Sequence, residues 1–204
     1  MDHSAVEQLR ARVRGSVLCP GHEGYDEARK IPNAMIDRRP ALIVRSTGAA
    51  DVVSSVCFAR EHNLVVAVRG GGHSVAGKSV CEGGLMIDLS MMKGLWIDRA
   101  RRTARAATGL TLGDFDHETQ AFGLVTPLGV VSRTGIAGLT LGGGWGHLHA
   151  KHGLALDNVI GADVVTADGK LLTANAPHCT TTSSGMVSVY SRKNRSTASA
   201  FSTG

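Results

Sequence analysis

Residues 64–77 read LVVAVRGGGHSVAG, an apolar run closed by one arginine, three consecutive glycines and a histidine. Residues 64–69 have the β-branched, unbroken apolar character of a strand. They run straight into the glycines. An ordered glycine costs roughly 0.5–1 kcal/mol relative to alanine in regular structure. Three together therefore point to backbone angles, or a close approach, that a side chain would block. The loop is compatible with two readings. One is a tight turn with no ligand. The other is a run of bared backbone N–H groups that cradles phosphate oxygens, with Arg69 adding a charge-assisted contact.

Outward from this stretch the pattern is mixed α+β. Residues 41–46 (ALIVRS) form a second strand pattern, and residues 49–63 have helical spacing with Val52, Val53, Val56 and Phe58 inward. Strand, helix and strand in that order imply a crossover and a parallel pair. A short helix over residues 4–14 and a loop rich in Gly and Pro precede them. Strands over 85–90, 95–100 and 103–108 follow, the last two as a hairpin. A helix over 111–122 is capped by Thr111 or the residue before it. Residues 158–174 read as two strands around the turn Ala167-Asp168-Gly169.

Composition narrows the partners. Of 204 residues, 43% are hydrophobic and 19% charged, which fits a globular chain. The 26 glycines exceed the average share of about 7%, and they cluster. The net charge of +5 is misleading, because residues 177–204 supply +3 of it from Arg192, Lys193 and Arg195. The remainder carries no basic run with interleaved aromatics, so no nucleic-acid partner is expected. Cys19, Cys57, Cys81 and Cys179 form no CxxC pair, the N-terminus has no apolar signal core, and no stretch is long enough for a membrane span. A cytoplasmic address is expected.

A dinucleotide fingerprint GxGxxG fits the first loop only by placing His73 where a helix should begin. The second glycine-rich stretch, residues 129–165 (GVVSRTGIAGLTLGGGWGHLHAKHGLALDNVIGADVV), is more particular. Two such loops about 60 residues apart, each flanked by strands, suggest one extended ligand held at both ends. Residues 69–77, 127–146 and 153–168 together resemble the FAD-binding domain of the p-cresol methylhydroxylase-type oxidases, the vanillyl-alcohol oxidase superfamily. The similarity is strongest to its berberine-bridge-enzyme-like bacterial members, and it runs from about Arg39 to Ala174.

The resemblance implies an α+β fold of two small α/β subdomains over residues 39–175, after an N-terminal helix and loop over 1–38. It implies FAD, attached through a ring nitrogen of His73 to the flavin 8α-methyl. Arg69, Gly70, Gly71, Gly72, Ser74 and Val75 would hold the pyrophosphate. Thr134, Gly135, Gly138, Gly142, Gly143, Gly144 and Gly146 would wrap the ribityl chain and isoalloxazine. Val164 or Val165 would lie by the adenine. Many members carry a second flavin-tethering cysteine two residues after the glycine matching Gly129. Val131 stands there, so a single histidyl link is expected. The implied activity is hydride transfer from a small-molecule C–H donor to flavin, with O2 as acceptor.

His147, His149 and His152 form HxHxxH, but a helix would turn His147 away from the other two and no carboxylate or cysteine completes the set. They are read as packing or solvent-facing residues, with no metal. Asp114, Asp116, His117 and Glu118 are read as a polar helix face, and Trp96 and Trp145 as packing residues. Residues 176–204 change character: 12 of the residues from 177 onward are Ser or Thr and none is acidic, so disorder is expected. The family's substrate domain and its catalytic base would lie beyond this point. That abrupt change suggests a frameshift or truncated reading frame, and leaves two further readings. One is a non-catalytic FAD-binding module. The other is a structural or nucleotide-binding protein whose glycines only make turns.

Overall fold

The computed structural model describes residues 2–175 and the backbone of residues 186–192. Its first subdomain opens with α1 (His3–Arg12), started by the Asp2 carboxylate accepting from Ser4 N at 3.3 Å. Then come β1 (Ser16–Leu18), α2 (Tyr25–Arg29), β2 (Leu42–Arg45), α3 (Ala49–Glu61), β3 (Val66–Arg69) and β4 (Leu85–Asp88). The strands form one sheet in the order β1-β2-β4-β3, with β1 antiparallel to β2 and the other two pairings parallel.

The apolar runs of β2 and β4 are explained by burial on both faces. Leu42, Val44, Leu85 and Ile87 point to one side, against Leu9 of α1 and Val52 and Phe58 of α3. Ile43 and Met86 point to the other, where they meet Tyr25, Val80 and Cys81. β2 and β3 are parallel as the strand–helix–strand order implies, but they are not neighbours. β4 pairs between them, in register Leu85 with both Leu42 and Val66. That leaves β3 an edge strand, with Ala67 inward and Val66 and Val68 each 40% exposed.

The second subdomain is built on β5 (Leu95–Asp98), β6 (Thr103–Ala106), β7 (Val159–Val165), β8 (Leu171–Asn175) and β9 (Met186–Arg192), in the order β5-β6-β9-β7-β8 and antiparallel throughout. The expected hairpins β5–β6 and β7–β8 are both present. Across its face lie α4 (Leu112–Gln120) and α5 (Ile136–Leu141), and the single turn α6 (His149–His152) follows in the chain. Ala104 and Ala106 of β6 pack there against Leu112, Phe115, Leu128 and Ile136.

Thr111 is the N-cap of α4. Its hydroxyl accepts from Asp114 N at 3.2 Å, while the Asp114 carboxylate accepts from Thr111 N at 2.9 Å. β9 corrects the expectation of no structure after residue 176, at least over Met186–Arg192, where it sits between β6 and β7. Val187, Val189 and Tyr190 favour extended backbone, and pairing on both edges satisfies it. The other residues past 175 lie outside the described part of the chain.

Candidate functional site

β3 delivers the first glycine loop to the junction of the two subdomains. Arg69, its last residue, sends its guanidinium back to the carbonyls of Ala28 and, at 2.8 Å, Lys30. It thereby ties the end of α2 beneath the loop. Gly72 has φ +72, and a Cβ there would also lie 2.9 Å from Arg69 Nε. The positive φ favours glycine at that position, and a side chain there would also have to displace the Arg69 guanidinium.

The second loop is held by the other subdomain. Leu112 N donates to Thr134 O at 2.9 Å and Ile136 N to Leu110 O at 2.9 Å, framing an isolated bridge between Thr111 and Gly135. The two loops then touch backbone to backbone. A Cβ on Gly71 would come within 2.4 Å of Gly135 N, and one on Gly135 within 2.3 Å of Gly71 N. The glycines of the two stretches, far apart in sequence, are required by each other.

Where the loops meet they enclose a cleft of about 360 Å³. Of the residues expected at a cofactor site, it gathers Gly70, Gly71, Gly72, His73, Ser74, Thr134, Gly135 and Gly138. Sequence reasoning missed four of its lining residues: Val68, Lys78, Ser79 and Leu139. Lys78 and Ser79 directly follow the glycine-closed turn at Gly77, and that proximity was the available signal. At Gly138 a Cβ would meet no atom of the described residues within 4 Å, so on that side they leave space for a ligand.

The chemistry of the lining is one-sided. Among the described residues, no backbone N–H of residues 71–76 donates a hydrogen bond to the protein. Ser74 Oγ accepts from Lys78 N at 3.0 Å and keeps its own proton to donate. The Ser79 hydroxyl is buried without a partner. Lys78 brings a positive charge, and among the described residues no carboxylate lines the cleft. Such a set of donors suits phosphate oxygens. His73 is half-buried in the wall, and among the described residues nothing hydrogen-bonds its ring.

The remaining expected residues stand elsewhere. Val75 is 77% exposed, and its carbonyl accepts from Asn33 Nδ2 at 2.8 Å. Gly142 ends α5, with its N–H bonded to Gly138 O at 3.2 Å. Gly143 and Gly144 receive Leu156 N and Ala155 N, each at 3.0 Å. Gly146 runs so close to Leu128 O that a Cβ would lie 1.6 Å from it. Val165 is buried in the core of the first subdomain, bridging the two sheets, and Val164 beside it is half-buried.

Val131 is 40% exposed, and its carbonyl accepts from Thr134 N at 3.0 Å. His149 is held by two hydrogen bonds to its ring. Its Nδ1 donates to Gly146 O at 2.7 Å, while Nε2 accepts from Trp145 Nε1 at 3.1 Å. Among the described residues no group of three or more His, Cys, Asp or Glu side chains is placed to hold a metal ion. A second groove, about 590 Å³, runs along α4. Its Asp114 is paired with Lys93 at 2.8 Å, and this ammonium, then the Thr111 N–H, holds the carboxyl at about 2.

With this geometry in hand, similarity to known proteins is informative. The FAD binding domain family matches residues 40–175. An FAD-linked oxidoreductase of Dictyostelium discoideum is 42% identical over 167 residues, covering 81% of this chain and 36% of that protein. (R)-6-hydroxynicotine oxidase of Paenarthrobacter nicotinovorans is 39% identical over 160 residues, covering 78% of this chain and 35% of the oxidase.

Among solved structures, 6-hydroxy-D-nicotine oxidase from Arthrobacter nicotinovorans superposes with a TM-score of 0.85 at 34% identity, over 90% of this chain and 43% of that one. Physcomitrella patens BBE-like 1 does so with 0.85 at 30% identity, over 93% and 44%. The chain spans about a third of the length of these curated relatives.

Proposed function

The chain belongs to the FAD binding domain family, and on that premise we propose that it holds FAD for the oxidation of a small molecule at a C–H bond. The observation that carries this reading is the meeting of two glycine loops at Gly71 and Gly135 around a cleft lined with donors. The free N–H groups of residues 71–74, with the Ser74 hydroxyl and Lys78, would hold the diphosphate. Gly138 would let the ligand approach the backbone. When bound, FAD supplies a two-electron acceptor for hydride at its N5 position, with O2 proposed as the final acceptor. The protein's part is to orient the ring, and to keep the cofactor from leaving.

His73 would do the second by bonding a ring nitrogen to the flavin 8α-methyl, a C–N bond replacing one C–H and one N–H bond, with the two electrons passing through the flavin to O2. Its place in the cleft wall and its unengaged ring support this. Val131 has no nucleophile to offer, so one link is expected. Cys19, Cys57 and Cys81 are unpaired thiols, which supports the cytoplasmic address we propose.

Intact mass after incubation with FAD tests the reading. Wild-type chain should gain the mass of one FAD less two hydrogens and give a yellow, fluorescent acid precipitate. His73→Ala should leave the flavin in the supernatant. A colourless precipitate from flavin-loaded wild type would refute the covalent link. Bleaching of the bound flavin by candidate amine, alcohol and sugar donors under anaerobic conditions separates turnover from simple binding.

A further inference from the structure

Among the described residues that line the cleft, Ser79 is the polar one shut away from solvent without a partner. It is 7% exposed, and its Oγ makes no hydrogen bond. A buried hydroxyl in that state carries an uncompensated desolvation cost. Two other described hydroxyls share it, those of Ser46 and Thr126, but neither lines the cleft.

The surroundings say what the missing partner must be. The nearby loop offers the free N–H groups of residues 71–74, the Ser74 hydroxyl and the Lys78 ammonium, with no carboxylate among the described lining residues. A donor placed among donors is satisfied by an anionic acceptor brought in from outside.

We propose that Ser79 is a binding residue for the dinucleotide, its hydroxyl donating to a non-bridging phosphate oxygen beside the N–H groups of the glycine loop. The proposal rests on the FAD reading above. It adds a distinctive cost: the hydroxyl destabilises the free protein and is satisfied on binding. An ordinary structural serine has the opposite behaviour, because removing it weakens the fold.

The test is calorimetric titration of the full chain with ADP, which carries the diphosphate and forms no covalent link, and with adenosine, which lacks it. FAD is titrated separately into His73→Ala, where binding is reversible. Ser79→Ala should weaken ADP and FAD by about ten-fold or more and leave adenosine unchanged. The ligand-free Tm should hold or rise.

Equal ADP and FAD affinity in Ser79→Ala and its parent overturns the role of Ser79 while leaving the FAD reading intact. A lowered ligand-free Tm, or adenosine weakened as much as ADP, also overturns it. Failure of the parent chains to bind either FAD or ADP overturns both readings together.

Discussion

A methyl group on Gly71 would sit 2.4 Å from the Gly135 nitrogen, well inside van der Waals contact. Neither loop can yield easily, because Gly71 leaves a strand and Gly135 is fixed by its bridge to Thr111. Gly71→Ala and Gly135→Ala should each cost about 1–3 kcal/mol by forcing the backbones apart. FAD affinity should fall with stability in both.

Gly138→Ala is the informative contrast. Its Cβ would meet no atom of the described residues, and alanine within a helix is favoured by about 1 kcal/mol over glycine. The ligand-free protein should therefore melt slightly higher while binding FAD less well. Thermal melts paired with flavin titrations read both signs at once. Unchanged FAD affinity would mean the open space beside Gly138 is not used. The glycines thus divide into those that serve the protein's own backbone and those that serve a ligand. Sequence alone merges the two classes, since both spell glycine.

Elements are held in place by a few polar residues at their ends. Asp51, in the first turn of α3, is 2% exposed. Its carboxylate accepts from Arg14 N at 2.8 Å, Gly15 N at 3.1 Å, and Thr47 N and Oγ1 at 2.9 Å each. Burial pushes its pKa up, but the hydrogen bonds from Thr47, Arg14 and Gly15 outweigh burial and hold it below the ordinary value.

A carboxyl with a depressed folded pKa stabilises fully above its unfolded pKa, and that stability is lost as pH falls through the folded one. Urea midpoints should therefore drop below about pH 4, and Asp51→Ala should flatten this acid limb. It should also cost on the order of 3 kcal/mol at neutral pH by orphaning three backbone donors. A parallel acid limb in the variant would assign it to other carboxylates.

Helix α4 and the β7–β8 hairpin were legible because their signals are local: Thr111 three residues before Asp114, and Asp168-Gly169 between apolar runs. The insertion of β4 between β2 and β3 was not, because strand order is settled by packing between segments distant in sequence. Helix α5 hides in a glycine-dense stretch, where its start is fixed by Leu110 and Thr111 of the other segment rather than by its own residues. β9 likewise depends on the free edges of β6 and β7.

At the scale of the molecule, two sheets of different construction share one cleft. The first subdomain contributes Val68, residues 70–74, Lys78 and Ser79, and the second contributes Thr134, Gly135, Gly138 and Leu139. The cores on either side are largely separate clusters, with Val165 of β7 the residue from the second sheet that enters the first core. A ligand bound across the junction must therefore couple the subdomains, because its binding energy is lost if either wall opens. By mass action FAD at about one hundred times its Kd adds roughly 2.7 kcal/mol to the stability of a chain that binds it reversibly. For a chain of this size each kcal/mol moves Tm by about 2–4 °C, so His73→Ala should gain roughly 5–10 °C. The gain should appear as one cooperative shift, and amide exchange should slow in residues 70–79 and 134–138 together. Protection confined to the first loop, with the β5–β8 region melting as before, would show that the cleft belongs to one subdomain only and that Gly135 merely abuts it.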